Sequence, residues 1–159
     1  PTGLLASEDW AKSHDLPLLA WLRTGETAAV DFASGKEGLL MAPAYAVPRM
    51  LAREGLSLQD FDLYEIHEAS AAQVLCTLKA WESPEFARYR LGLEAPLGAI
   101  DQSKMNINGG SLGTGHPFAA TGGRILAGLA KELAQRGSGR GLISICAAGG
   151  LGVVAIVER

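Results

Sequence analysis

FAATGGRILAGLAKELAQRGSGRGLISICAAGGLGVVAIV, running from Phe118 to Val157, is the stretch whose reading decides the fold. In its first half Ile125, Leu126, Leu129 and Leu133 recur at three- and four-residue intervals. That spacing puts them on one face of a long helix, predicted over Phe118–Gln135. Ser138 and its flanking glycines end it. Leu142–Cys146 and Val153–Val157 are apolar, uncharged and rich in β-branched residues, the composition of buried strands. They sit close enough to form a hairpin. The uncharged run from Gly141 to Val157 is too short for a membrane span and carries glycines at its centre.

The same alternation extends upstream. Gly3–Ala6 is a short apolar run, and Glu8–Ser13 is one or two helical turns. Leu18–Val30 reads as a strand with a bend at Gly25. Ala44–Glu54 has Val47, Met50 and Leu51 at helical spacing, with Pro43 suited to its first turn and Gly55 to its stop. Pro48 is a mild objection. Ser57 caps a short turn with Asp60 three residues on. Leu63–His67 is a strand, Ala69–Trp81 a helix, Pro84–Arg90 another, and Leu91–Lys104 irregular. Strands alternating with helices predict a single α/β layered domain with a mixed sheet, spanning residues 1–159.

Composition narrows the function. The chain has 159 residues, 48% hydrophobic and 19% charged, with a formal net charge of −3. That suffices for one core. No basic stripe is present, so nucleic acid is a poor partner. Cys76 and Cys146 have no metal spacing, and two thiols suggest a reducing, cytoplasmic setting. Glu8 and Asp9 argue against a signal peptide. The chain begins with Pro1, which hints at processing or truncation. Cys76, on the Ala/Leu-rich helix, is expected in the core.

Three clusters could carry chemistry. Asn108–Pro117 (NGGSLGTGHP) sets His116 in a glycine-dense segment, with no charge between Lys104 and Arg124. Glycine allows close backbone approach, and imidazole exchanges protons near neutrality. His116 lies just ahead of the predicted long helix, whose dipole favours a neutral ring. Glu65–Ser70 (EIHEAS) marks a strand-to-helix passage, a common place for site residues in α/β folds. Its plainer reading is a helix start, with Glu68 favouring the dipole and His67 simply on the surface. Cys146 ends an apolar strand before Ala147-Ala148-Gly149-Gly150, a small-residue turn that exposes backbone N–H groups as oxyanion donors. A buried, inert cysteine is equally consistent with that setting. Whether Cys146 and His116 meet stays open at this level. There is no Gly-Lys-Ser/Thr phosphate loop, no Gly-x-Ser-x-Gly elbow and no zinc spacing among the three histidines.

Taken together, His67-Glu68-Ala69-Ser70, Gly115-His116-Pro117 and Cys146-Ala147-Ala148 resemble, in order, the Asn-Glu-Ala-Phe, Gly-His-Pro and Cys-x-Gly motifs of the thiolases. The chain looks like the C-terminal half of a thiolase. Histidine in the first motif, with Gly-His-Pro-Phe-Ala-Ala-Thr-Gly and Cys-Ala-Ala-Gly-Gly, resembles the β-subunit type of fatty-acid oxidation complexes. Two departures stand out. Ser70 replaces an aromatic residue near the acyl site, and Ala148 replaces glycine while keeping its N–H.

The resemblance implies a five-stranded mixed sheet with helices on both faces, the long helix being shared with an N-terminal half that this chain lacks. It implies an acyltransferase acting on 3-ketoacyl-CoA and CoA, with no metal and no cofactor beyond these substrates. His116 would activate a cysteine of the other half and hydrogen-bond the enolate oxygen. His67 would hold a water in the same oxyanion hole, and Cys146 would move the α-proton. Ala148, Gly115 and Glu68 would support the backbone; Ser70, Pro117 and Phe118 would line the substrate. A homo-oligomer and a hydratase/dehydrogenase α-subunit are the implied partners. The chain alone would be inactive. A stand-alone acyl-CoA-binding or partner-binding domain and a sterol-carrier-type thiolase are the alternatives.

Overall fold

The computed structural model describes residues 2–159; Pro1, on which the processing expectation rests, lies outside the described residues. Four strands form one sheet in the order β1-β4-β3-β2, with β1 Trp21–Ala29, β2 Leu63–Ile66, β3 Arg140–Ala147 and β4 Leu151–Glu158. β4 pairs antiparallel with both β1 and β3, and β2 runs parallel to β3. The expected hairpin and the mixed sheet are both present. The irregularity in β1 falls between Leu22 and Thr24, not at Gly25. Gly25 instead packs close to the Val154 carbonyl, where a Cβ would sit 3.3 Å away.

The described strands number four, not five. Met105 makes a single parallel bridge to Tyr64 where a fifth strand would lie. The ladder stops there because Asn106 turns left-handed, at φ 49°, and completes the pairing with its side chain. Its amide oxygen accepts from the Ile66 N–H at 2.8 Å, and its amide nitrogen donates to the Ile66 carbonyl at 2.9 Å. One buried amide thus satisfies the sheet edge in place of a strand.

Helices cover both faces. On one side α2 (Ala42–Glu54) and α3 (Ala71–Glu82) pack Val47, Met50, Leu51, Val74, Leu78 and Trp81 against Tyr64, Ile66, Leu142, Val154 and Ile156. On the other, α6 (Thr121–Arg136) lays Ile125, Leu129 and Leu133 on Leu63, Ile143 and Val157. α6 starts three residues later than its expected start at Phe118. α2 starts two residues earlier than expected, with Pro43 in its first turn and Gly55 as a left-handed stop. Pro48 is accommodated within it, buried. α1 is Glu8–Ser13, as expected. α4 (Pro84–Phe86) passes into a π-helical turn, Ala87–Leu91. A one-turn helix, α5 (Ser111–Thr114), interrupts the glycine-rich segment. Asp60 accepts from the Ser57 N–H, so the cap runs from the aspartate rather than from the serine.

Candidate functional site

β2 and β3 are parallel, so their carboxyl ends open at the same edge of the sheet. His67 directly follows β2, and its N–H donates to the Ser144 carbonyl of β3 at 2.9 Å. Cys146 is two residues further along β3. The loop carrying His116 is drawn to this edge by Glu68. Its carboxylate accepts from the Leu112 N–H at 3.0 Å and from the Asn106 amide at 2.7 Å. A Cβ at Gly110 would overlap that carboxylate, which is why the loop needs glycine there. Gly115, at φ 88°, closes α5 and sends the chain to His116. Glu68 therefore serves the glycine-rich loop and not the start of α3; Ser70 caps α3 by accepting from the Gln73 N–H at 3.1 Å.

The result is a pair of histidines. The His67 and His116 ring centroids lie 4.2 Å apart, tilted by 45°. His67 is 2% exposed, with Nδ1 3.0 Å from the Ser111 hydroxyl. Burial pushes its pKa down, and the neighbouring His116 and Arg124 push the same way. His116 is exposed, and its Nδ1 lies 2.7 Å from the Thr121 hydroxyl. His14 is remote and stacks on Trp10. Phe118 is 86% exposed, its ring 5.0 Å from that of His116. Pro117 is exposed, and its carbonyl accepts from the Ala120 N–H and the Thr121 hydroxyl.

Cys146 is buried, and burial pushes its thiol above the ordinary range. No hydrogen bond joins it to either histidine among the described residues, so the structure unites His67 with His116 but does not bond Cys146 to them. Ala148 is exposed in the β3–β4 turn, followed by Gly149 and Gly150 at positive φ. Cys76, expected in the core, is exposed. The buried residues of α3 are Gln73, Val74, Thr77, Leu78, Ala80 and Trp81, which leaves Cys76 on the outer face.

Asn106, Thr121, Ser111 and Arg124 escaped the sequence reading. Ser111 and Arg124 stand behind His67, the Arg124 guanidinium donating to the Ser111 hydroxyl at 3.1 Å. Arg124 was visible only as the charge that ends the uncharged segment. Among the described residues there is no cluster of three or more histidine, cysteine or acidic side chains able to hold a metal ion.

The chain that carries this arrangement is similar in sequence and fold to known proteins. The sequence pattern of the family described as "Thiolase, C-terminal domain" matches residues 16–159. The chain belongs to that thiolase family. A 3-ketoacyl-CoA thiolase of Pectobacterium carotovorum subsp. carotovorum (strain PC1) is 47% identical over 155 residues, 98% of this chain and 35% of that protein. Bacillus anthracis acetyl-CoA acetyltransferase superimposes with a TM-score of 0.75 at 36% identity, over 96% of this chain and 33% of that one. Human mitochondrial 3-ketoacyl-CoA thiolase in complex with CoA gives a TM-score of 0.73 at 34% identity, covering 97% and 34%. The thiolase chain thus spans about a third of the length of the relatives it matches.

Proposed function

We propose that the chain is the C-terminal domain, residues 1–159, of an acyl-CoA acyltransferase that cleaves 3-ketoacyl-CoA with CoA, or runs the reverse condensation. The contact between His67 and His116 carries this reading. A carbanion or enolate next to a thioester needs fixed donors in a water-poor site, where they contribute several kcal/mol to the transition state. In this reading His116 takes a proton from a nucleophilic cysteine of the N-terminal half and, once protonated, hydrogen-bonds the enolate oxygen. His67 completes that oxyanion hole through a water. Cys146 delivers or removes the α-proton, and the Ala148 N–H faces the tetrahedral intermediate. Gly115 and Glu68 hold the loop in place; Ser70, Pro117 and Phe118 border the acyl and CoA path. CoA is a substrate, as the CoA complex of the human relative suggests.

The N-terminal half is assigned to the outer side of α6, away from the face that carries Ile125, Leu129 and Leu133. Homo-oligomer formation, a hydratase/dehydrogenase partner, a role in fatty-acid oxidation and a cytoplasmic location belong to the same proposal. No helix of the described residues is long and apolar enough to cross a membrane.

The test is a chimera joining this chain to the N-terminal region of the 47%-identical relative. Thiolysis of acetoacetyl-CoA by the chimera, with no turnover by the chain alone, is the expected result. A correctly folded chimera without thiolysis overturns the proposal, and binding of CoA by the isolated chain without turnover in either form favours a binding domain instead.

A further inference from the structure

Each histidine of the pair has one hydroxyl on its Nδ1, and the two hydroxyls are committed differently. Thr121 is the first residue of α6, and its hydroxyl lies 3.3 Å from the Pro117 carbonyl and 2.7 Å from His116 Nδ1, two contacts that its single proton can satisfy together only by going to the carbonyl. A carbonyl can only accept. Thr121 Oγ1 is therefore left with lone pairs for His116, so the His116 Nδ1 carries the hydrogen and donates across 2.7 Å. His116 Nε2 is then unprotonated, a lone pair free to act as a base.

Ser111 is placed the other way round. Among the described residues its hydroxyl, on a residue 6% exposed, meets only the Arg124 guanidinium and His67 Nδ1. Arginine only donates, so Arg124 occupies a lone pair of Ser111 Oγ. If His67 Nδ1 also donated, the serine proton would be buried without an acceptor, which is unfavourable. The serine proton therefore goes to His67 Nδ1, and the hydrogen of the His67 ring sits on Nε2. Arg124, a cation behind Ser111, also opposes an imidazolium on His67 and so keeps the ring neutral.

We infer that Ser111, held by Arg124, and Thr121 lock His67 and His116 into opposite neutral tautomers, making His67 Nε2 a hydrogen-bond donor and His116 Nε2 a proton acceptor. Ser111, Arg124 and Thr121 are positioning residues, acting only through the rings. The division of labour deepens the proposed function and rests on it for its meaning, although the tautomers themselves do not. With one ring fixed as donor and its neighbour as acceptor, a proton can be taken by one imidazole while the other keeps a hydrogen bond on an incoming oxygen.

The experiment is ¹⁵N–¹H correlation of the imidazole nitrogens in the full 159-residue chain labelled at histidine, above about pH 8 where ordinary imidazoles are neutral. Three histidines give a resolvable spectrum. His67 should show a pyridine-like Nδ1 and a pyrrole-like Nε2, and His116 the reverse. Ser111→Ala should turn His67 into a tautomer mixture while His116 keeps its pattern. Thr121→Val should do the same to His116 alone, and Thr121→Ser should restore it. Matching tautomers in the wild-type chain, or a Ser111→Ala spectrum with His67 unchanged, overturns the inference. The wild-type spectrum decides the point even if a variant does not fold. It uses no substrate, so it can fail while thiolysis succeeds, and the reverse.

Discussion

At the scale of single residues, a half-buried carboxyl on β2 and a buried imidazole just beyond it pull stability in opposite directions with pH. Glu65 shares the α6-facing side of β2 with Leu63, and its carboxyl is pushed up to about 7, chiefly by burial, with Glu68 and Glu132 adding and Arg124 opposing. A folded-state pKa above the unfolded value of 4.5 means the contribution is complete below pH 4.5 and is lost as pH rises through about 7. Glu65→Gln should therefore match the parent near pH 4.5 and gain on the order of 1–3 kcal/mol over it above pH 7, read as denaturant midpoints. A constant difference at all pH values would contradict the assignment. His67 is depressed, so its contribution holds above about pH 6.5 and falls away as pH drops toward its lower folded value. Cys146 sets a separate expectation. In the thiolysis-competent chimera, Cys146→Ser should abolish exchange of the acetyl-CoA α-protons with deuterium while leaving acylation of the other half's cysteine intact; exchange at the parent rate would remove Cys146 from the mechanism. His116→Ala should slow both half-reactions by about 10²-fold or more, and normal acylation in that variant would remove its role as base.

At the scale of elements, what could be read from the chain depended on whether the signal was local. α2 and α6 declared themselves through helical spacing, and Gly55 ends α2 at the expected stop, with a left-handed backbone. α3 could have been read more closely: Val74, Leu78 and Trp81 mark its inner face at helical spacing, which puts Cys76 outside. The glycine-rich segment and the Cys146 turn stood out as candidate chemistry by residue type, but the partners that organise them did not. α5 has little helical propensity of its own and depends on Glu68, forty-four residues earlier in sequence, to take the Leu112 N–H. The missing fifth strand is replaced by Asn106, forty residues from the Ile66 backbone it completes. Such bonds leave no periodicity. They do leave a measurable cost: Asn106→Ala strips two buried backbone groups and one hold on Glu68. It should lower stability by about 2–4 kcal/mol in urea unfolding, and should loosen the histidine loop, seen as faster hydrogen exchange at Leu112. A loss below about 0.5 kcal/mol would show that water replaces the amide at no cost.

At the scale of the whole molecule, the two faces of the sheet are unequally covered. Side chains alternate across β4, so Val154 and Ile156 face α2 while Ala155 and Val157 face α6. Leu151 and Val153 belong by the same alternation to the α6 side, yet they are 49% and 51% exposed. Their neighbours on β1, Ala29 and Thr27, are exposed as well. α6 lies over β2, β3 and the end of β4 at Ala155 and Val157 but stops short of Leu151 and Val153, and Leu112 and Phe118, 61% and 86% exposed, add apolar surface at the histidine end. A continuous sheet face left in water drives association, because each Å² of apolar surface removed from water contributes roughly 25 cal/mol. The isolated chain should therefore self-associate with rising concentration in sedimentation velocity. Leu151→Thr with Val153→Thr keeps strand-compatible side chains on the same backbone, and should shift the distribution toward monomer with an unchanged far-ultraviolet spectrum. In the chimera the same double substitution should weaken the joining of the two halves and lower the melting temperature more than it does in the isolated chain. Equal losses in both contexts would mean that this face stays in solvent in the longer protein.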